Sequence, residues 1–148
     1  MASTTFSGPV TSTNGFIGAL TGNIAGTGSI THTPTAINAT ATATAAQVAT
    51  GYITSTSVGT VSITLPTGTL LGAALGATQG TVFDLYIDNT AGASVVTIVV
   101  AVNGILSTAA ADTPGSFGDL TVASGATGLA RFTLMFSSAT AYAFSRTA

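Results

Sequence analysis

Val82-Phe83-Asp84-Leu85-Tyr86-Ile87-Asp88 alternates apolar and polar residues without a break. A period of two marks a strand with one covered face, so Phe83, Leu85 and Ile87 point inward and Asp84, Tyr86 and Asp88 outward. Asn89-Thr90-Ala91-Gly92 follows as a turn. Upstream, residues 60–65 repeat the alternation with Val61, Ile63 and Leu65 inward, until Pro66, which cannot continue a ladder. Thr67 then caps a short helical turn over Leu70-Leu71-Gly72-Ala73-Ala74-Leu75 that ends near Gly76. Downstream, Val95-Val96-Thr97-Ile98-Val99-Val100-Ala101-Val102 is apolar on both faces, which predicts a strand covered on both sides with Ile98 in packed sheet. Asn103-Gly104 is a hairpin-type dipeptide. Residues 109–116, with Asp112 and Pro114, read as a loop, and residues 119–123, 129–137 and 141–146 as the closing strands. In these, Ala130, Phe132, Leu134 and Phe136 share one face, as do Tyr142 and Phe144.

The composition agrees. Thr, Ala, Gly, Ser and Val dominate, residues that suit pleated sheets and tight turns. The expected class is all-β: a β-sandwich of jelly-roll type with an extended N-terminal arm. Three segments are expected. Residues 1–31 form the arm, 32–50 a low-complexity Ala/Thr connector or edge strand, and 51–148 the sandwich.

Charge is the second decisive feature. Only 4% of the 148 residues are charged, namely Arg131, Arg146, Asp84, Asp88, Asp112 and Asp119. An ordinary soluble domain carries about a quarter. With a mean hydropathy of +0.64, such a chain lacks the mixed-charge surface that keeps a monomer dispersed. Packing against copies of itself or within a larger assembly is the expectation. A net charge of −2 offers no footprint for phosphate neutralisation, so nucleic acid is an unexpected partner. The absence of cysteine removes disulfides, thiolate metal sites and thiol catalysis. The first residues carry no secretory-signal pattern, and the longest apolar run is too short to span a bilayer, so neither export nor a membrane is expected.

The arm has its own pattern. Glycines recur at short intervals between Thr, Ser and Asn, with single large apolar residues among them: Phe6, Val10, Phe16, Ile17, Leu20, Ile24 and Ile30. Disordered tails are usually poor in such residues, so these seven are expected to be anchors that seat on a neighbour.

The string Thr4-Thr5-Phe6-Ser7-Gly8-Pro9-Val10-Thr11-Ser12-Thr13-Asn14-Gly15-Phe16 resembles the opening of small virion structural proteins of tailed phages, including phages of cyanobacteria and other aquatic bacteria. Gly80-Thr81-Val82-Phe83-Asp84-Leu85-Tyr86-Ile87-Asp88-Asn89-Thr90, with Val122-Ala123-Ser124-Gly125-Ala126-Thr127-Gly128 before a final hairpin, is similar to a module of capsid decoration and tail-associated proteins. With these motifs read as marking the first eighteen residues and the second half, the resemblance covers about two-thirds of the chain. The resemblance implies a capsid decoration (cement) protein on the virion surface, a homotrimer bound to the major capsid protein, and no catalytic residues. Thr13 stands where a basic residue usually precedes Asn-Gly-Phe, which alters the expected contacts of the arm. A tail-fibre or tail-associated protein, or a cell-surface filament subunit assembled by strand addition, are the alternatives.

Candidate chemistry is sparse. His32, the sole histidine, lies in a Thr/Pro-rich stretch without a scaffolded acid, so a triad is not expected. A metal there would require equivalent histidines from three copies on an axis. Asp84 and Asp88 point the same way but lie roughly 13 Å apart by strand rise, too far to share one ion or bond. They read as outward solubilising or ion-paired groups, Arg131 as the partner of an outward aspartate within or between subunits, and Arg146 as surface. Asn38-Ala39-Thr40 matches a glycosylation acceptor by chance. Gly22, Gly26 and Gly28 lack the Lys-Ser/Thr of a phosphate loop. No catalytic, cofactor or metal residue is assigned.

Overall fold

The computed structural model describes residues 31–106 and 120–147. Its strands are β1 (Thr35–Ala36), β2 (Ala41–Thr42), β3 (Tyr52–Thr54), β4 (Val61–Thr64), β5 (Val82–Asp88), β6 (Val96–Val99), β7 (Gly104–Leu106), β8 (Thr121–Val122), β9 (Leu129–Ser138) and β10 (Ala141–Arg146). Two helices interrupt them, α1 (Ala45–Ala49) and α2 (Gly68–Leu75). The strands form a six-stranded sheet in the order β1-β3-β5-β9-β10-β7 and a four-stranded sheet in the order β2-β4-β6-β8. The fold is β-rich and built from two mixed sheets.

The order shows how the chain winds. From β1 to β6, each strand lies in the opposite sheet from the one before it. Neighbours within a sheet therefore come from successive turns of a coil and run parallel: β1, β3 and β5 in one sheet, β2, β4 and β6 in the other. The first two returns from the smaller sheet to the larger pass through a helix, α1 and then α2, and the two helices pack on each other. The long β9–β10 hairpin then fills the larger sheet, antiparallel to β5.

Five of the eight pairings among the described residues are parallel. A jelly roll is made of antiparallel Greek keys, so this winding departs from the jelly-roll expectation. Alternation within one strand reports which face is buried, not the direction of the neighbour.

The core lies between the sheets. Ile53 and Ile87 are register partners on one inner face, and Ile63 and Ile98 on the other, all fully or almost fully buried. The hairpin adds Phe132, Leu134, Phe136, Tyr142 and Phe144. Phe132 stacks on Phe144 with ring centroids 5.0 Å apart, and Phe136 meets Tyr142 at a tilt, an arrangement aromatic rings favour over a face-to-face sandwich.

α2 forms where expected. Its N-cap Thr67 accepts from the Leu70 amide, and Gly76 ends it in the left-handed region at φ 59°. Two glycines let it sit against the β9–β10 turn. A Cβ on Gly68 would run into the Thr140 carbonyl oxygen, and one on Gly72 into that of Ala139.

Three expectations change. The Ala/Thr tract provides an edge strand to each sheet and then turns into α1, whose capping box runs from Thr44 to Gln47. The apolar run at 95–102 is covered on one face only: Val96 and Ile98 are buried, while Val95, Val99 and Val102 are exposed. Asn103-Gly104 makes no hairpin. Asn103 at φ 63° turns the chain into β7, which joins the other sheet parallel to β10. Alternation of the chain between sheets explains the missing hairpin, since β6 and β7 lie in different sheets and cannot pair across a tight turn.

Candidate functional site

The outer face of the six-stranded sheet gathers most of the chemistry in the described residues. Strand parity places Tyr52, Asp84, Tyr86, Asp88, Arg131 and Thr133 on it, opposite the buried Ile53, Leu85, Ile87 and Phe132. Register makes Tyr52, Tyr86 and Arg131 one lateral row, with Asp84 beside Thr133 in the next. All six side chains are half-buried.

Tyr52, Asp84, Asp88, Arg131 and Thr133 each have a local hydrogen-bond partner. The Tyr52 hydroxyl donates to Asp88 Oδ2 at 2.5 Å, and the Thr90 hydroxyl and amide donate to Asp88 Oδ1. The Thr90 hydroxyl, then that of Tyr52, hold the Asp88 carboxyl below the usual carboxylate range. In return, the hydrogen bond to Asp88 raises the Tyr52 phenol above its ordinary value, with burial adding to the shift. Thr133 Oγ1 donates to Asp84 Oδ1 at 2.7 Å. Arg131 Nε donates to Thr147 Oγ1 at 3.1 Å. Arg131 and Asp84 form no ion pair among the described residues, so the intrachain version of the expected pairing is replaced by hydroxyl contacts. The reason is register: Arg131 lies opposite Tyr86, and Thr133 takes the place opposite Asp84.

His32 joins this face from the side. Its Nδ1 lies 2.9 Å from the Thr50 carbonyl oxygen, which fixes that nitrogen as the donor. The ring lies against Tyr86, with centroids 5.9 Å apart, in space that a side chain on Gly51 would fill. The sequence suggested an unsupported connector; the structure seats the imidazole on β3 and β5. Among the described residues no three potential ligands cluster to hold a metal.

Arg146 is a further correction. It is half-buried, with its guanidinium carbon 6.0 Å from the centre of the Phe132 ring and Nη1 donating to the Thr121 carbonyl at 2.6 Å. It bridges β10 to β8, tying one sheet to the other. Asn38, read as a chance acceptor, accepts from the Thr56 amide through Oδ1 and so ties two successive sheet-crossing bends together.

Sequence reasoning missed Asn89. It is fully buried and its Nδ2 faces the carbonyls of Ser94, Val122 and Ala123 at 2.8, 3.2 and 2.9 Å. Its backbone amide donates to Gly128, and its carbonyl accepts from Gly92 and Gly125. The two stretches that carry the module resemblance, 80–90 and 122–128, therefore meet at this residue.

A separate apolar cleft of about 610 Å³ opens where β2 and β4 run into α1 and α2, lined by Ala43, Ala45, Leu65, Pro66, Leu70 and Ala101 among others. The arm anchors Phe6, Val10, Phe16, Ile17, Leu20, Ile24 and Ile30, together with Asp112 and Asp119, lie outside the described residues. Among the described residues no helix is long and apolar enough to cross a membrane. Comparison with protein-family models, with curated proteins and with solved structures finds no match to this chain.

Proposed function

We propose that this chain is a structural protein of a tailed-phage virion, a capsid decoration protein that binds the shell exterior as a homo-oligomer and stabilises it. The observation that carries the reading is the scarcity of charge: six charged residues in 148. A surface so poor in charge is maintained by contact with other protein. The resemblance of residues 4–16 to the opening of virion proteins supplies the kind of assembly. The polar groups on the sheet face support a structural role, since Asp84, Asp88, Arg131 and His32 each hold a neighbouring strand or loop.

In this mechanism, residues 1–31 act as an arm, and Phe6, Val10, Phe16, Ile17, Leu20, Ile24 and Ile30 bury against a neighbouring subunit or the major capsid protein. Ordering a flexible arm consumes much of what its apolar contacts contribute. Affinity then comes from several symmetric copies binding together.

The test is a truncation. A chain starting at residue 31 is expected to keep the circular dichroism of the two-sheet unit and to lose attachment to undecorated shells. Unchanged attachment by the truncated chain contradicts the arm mechanism, and failure of the whole chain to attach contradicts the function. A filament subunit is the second reading, supported by one observation: among the described residues β1 and β2 end their sheets, edges on which another strand could add. Helical fibres grown by the purified chain would favour it.

A further inference from the structure

Arg131 and Asp84 stand on adjacent rows of the same sheet face, opposite in sign, yet do not pair within the chain. Each has capacity to spare. Arg131 uses only Nε, on Thr147, so both of its Nη groups lack a partner among the described residues. Asp84 uses only Oδ1, on Thr133, so Oδ2 is likewise open among the described residues. Both side chains are half-buried on a regular sheet, which fixes their positions.

The surroundings are those of a contact centre. Tyr52 and Tyr86 lie in the row of Arg131, and exposed apolar residues flank the patch, Val82 and Met135 toward one end and Leu129 toward the other. Tyrosine, arginine and methionine are the residues enriched where proteins meet, and Lys and Glu, which this chain lacks, are depleted there. β5 is seven residues long, and the sheet has six strands. At ~3.3 Å per residue and ~4.8 Å per strand the face measures roughly 550 Å² in projection, approaching the ~800 Å² per partner of a standard specific interface.

We propose that this face is where two copies of the chain meet across a twofold axis, with Arg131 of each copy paired to Asp84 of the other. A cation and an anion on one face are self-complementary under such an axis. Rotation about a line lying in the face and bisecting the segment between them brings each guanidinium over the other copy's carboxylate, twice. The planar fork of Arg131 can then engage the open Oδ2 of Asp84. Because the contact is reciprocal, the assembly contains an even number of copies, whereas the phage resemblance alone implies three. The inference concerns how copies meet and stands apart from what the oligomer binds.

Sedimentation equilibrium of the whole chain and of charge-swapped variants tests it, with circular dichroism to verify the fold of each. The wild-type chain is expected to form a dimer or an even multiple. Arg131→Asp and Asp84→Arg should each weaken association by at least about tenfold, because each sets like charges against one another. The double variant should recover it. If a charge reversal prevents folding, Arg131→Gln and Asp84→Asn replace it, and each should weaken association and reduce its dependence on salt. A monomeric wild type, an odd-numbered assembly, folded single variants that associate as before, or a double variant that fails to recover would each overturn the proposal. Shell attachment of the same variants separates this result from the proposed function, which stands or falls on attachment of the wild-type chain.

Discussion

Asn89 shows most clearly how single residues hold this molecule together. Its amide joins the bend after β5 to the segment after β8, and its Oδ1 is a buried acceptor without a partner among the described residues. Gly92 is glycine because a Cβ there would strike that Oδ1. Asn89→Ala is expected to leave carbonyls of Ser94, Val122 and Ala123 short of a donor and to cost about 2–3 kcal/mol, measured by denaturant unfolding. Asp88, next door, links residue chemistry to pH. Its carboxyl is held low by the hydroxyls of Thr90 and Tyr52. A depressed folded-state value contributes stability that is present above the unfolded value near ~3.9 and is lost as pH falls through the folded one. Acid unfolding profiles below about pH 4 should therefore be flatter for Asp88→Asn than for the wild type. Tyr142 works in the opposite range. Burial pushes its phenol up to about 12, so its contribution is complete below ~10 and fades as pH rises toward the folded value.

Among the elements, α2 and β6 separate what local sequence reveals from what it hides. Thr67, Gly76 and Pro66 announce α2 because caps and breakers act within a few residues. Its two glycines are explained only by the β9–β10 turn lying against them. Gly72→Ala is thus expected to destabilise the fold by about 2 kcal/mol or more, despite a gain of nearly 1 kcal/mol in helix propensity, as a thermal melt would show. For β6, the inward register of Ile98 was legible from the apolar run, but the exposure of Val99 was not, because hydrophobicity does not say how many layers a fold has. Ile98→Asp should abolish soluble expression, while Val99→Thr should change stability by less than about 0.5 kcal/mol. α1 had a readable signal, the Thr44-Ala45-Ala46-Gln47 box, hidden inside an Ala/Thr alternation that suggested a strand.

Across the whole molecule, strand existence and inward faces were legible because period two is local, whereas the parallel coil was not, because pairing partners lie 18 to 35 residues apart, as with Ile53 and Ile87 or Thr35 and Ile53. The outer-face cluster was half legible. Asp84, Tyr86 and Asp88 could be placed by alternation, but His32, Tyr52 and Arg131 reach them only through tertiary structure. The chain is charge-poor and built on two sheets, its polar groups fix its own architecture, and its surface is proposed to be completed by other copies or by shell protein. Cryo-electron microscopy of the phage particles proposed to carry this chain tests that claim most directly. The account predicts density fitting the two-sheet unit on the outer surface of the shell, with an ordered segment leading from residue 31 into a neighbour. Density for the chain confined to the tail, or an outer shell surface that lacks it, would contradict the account.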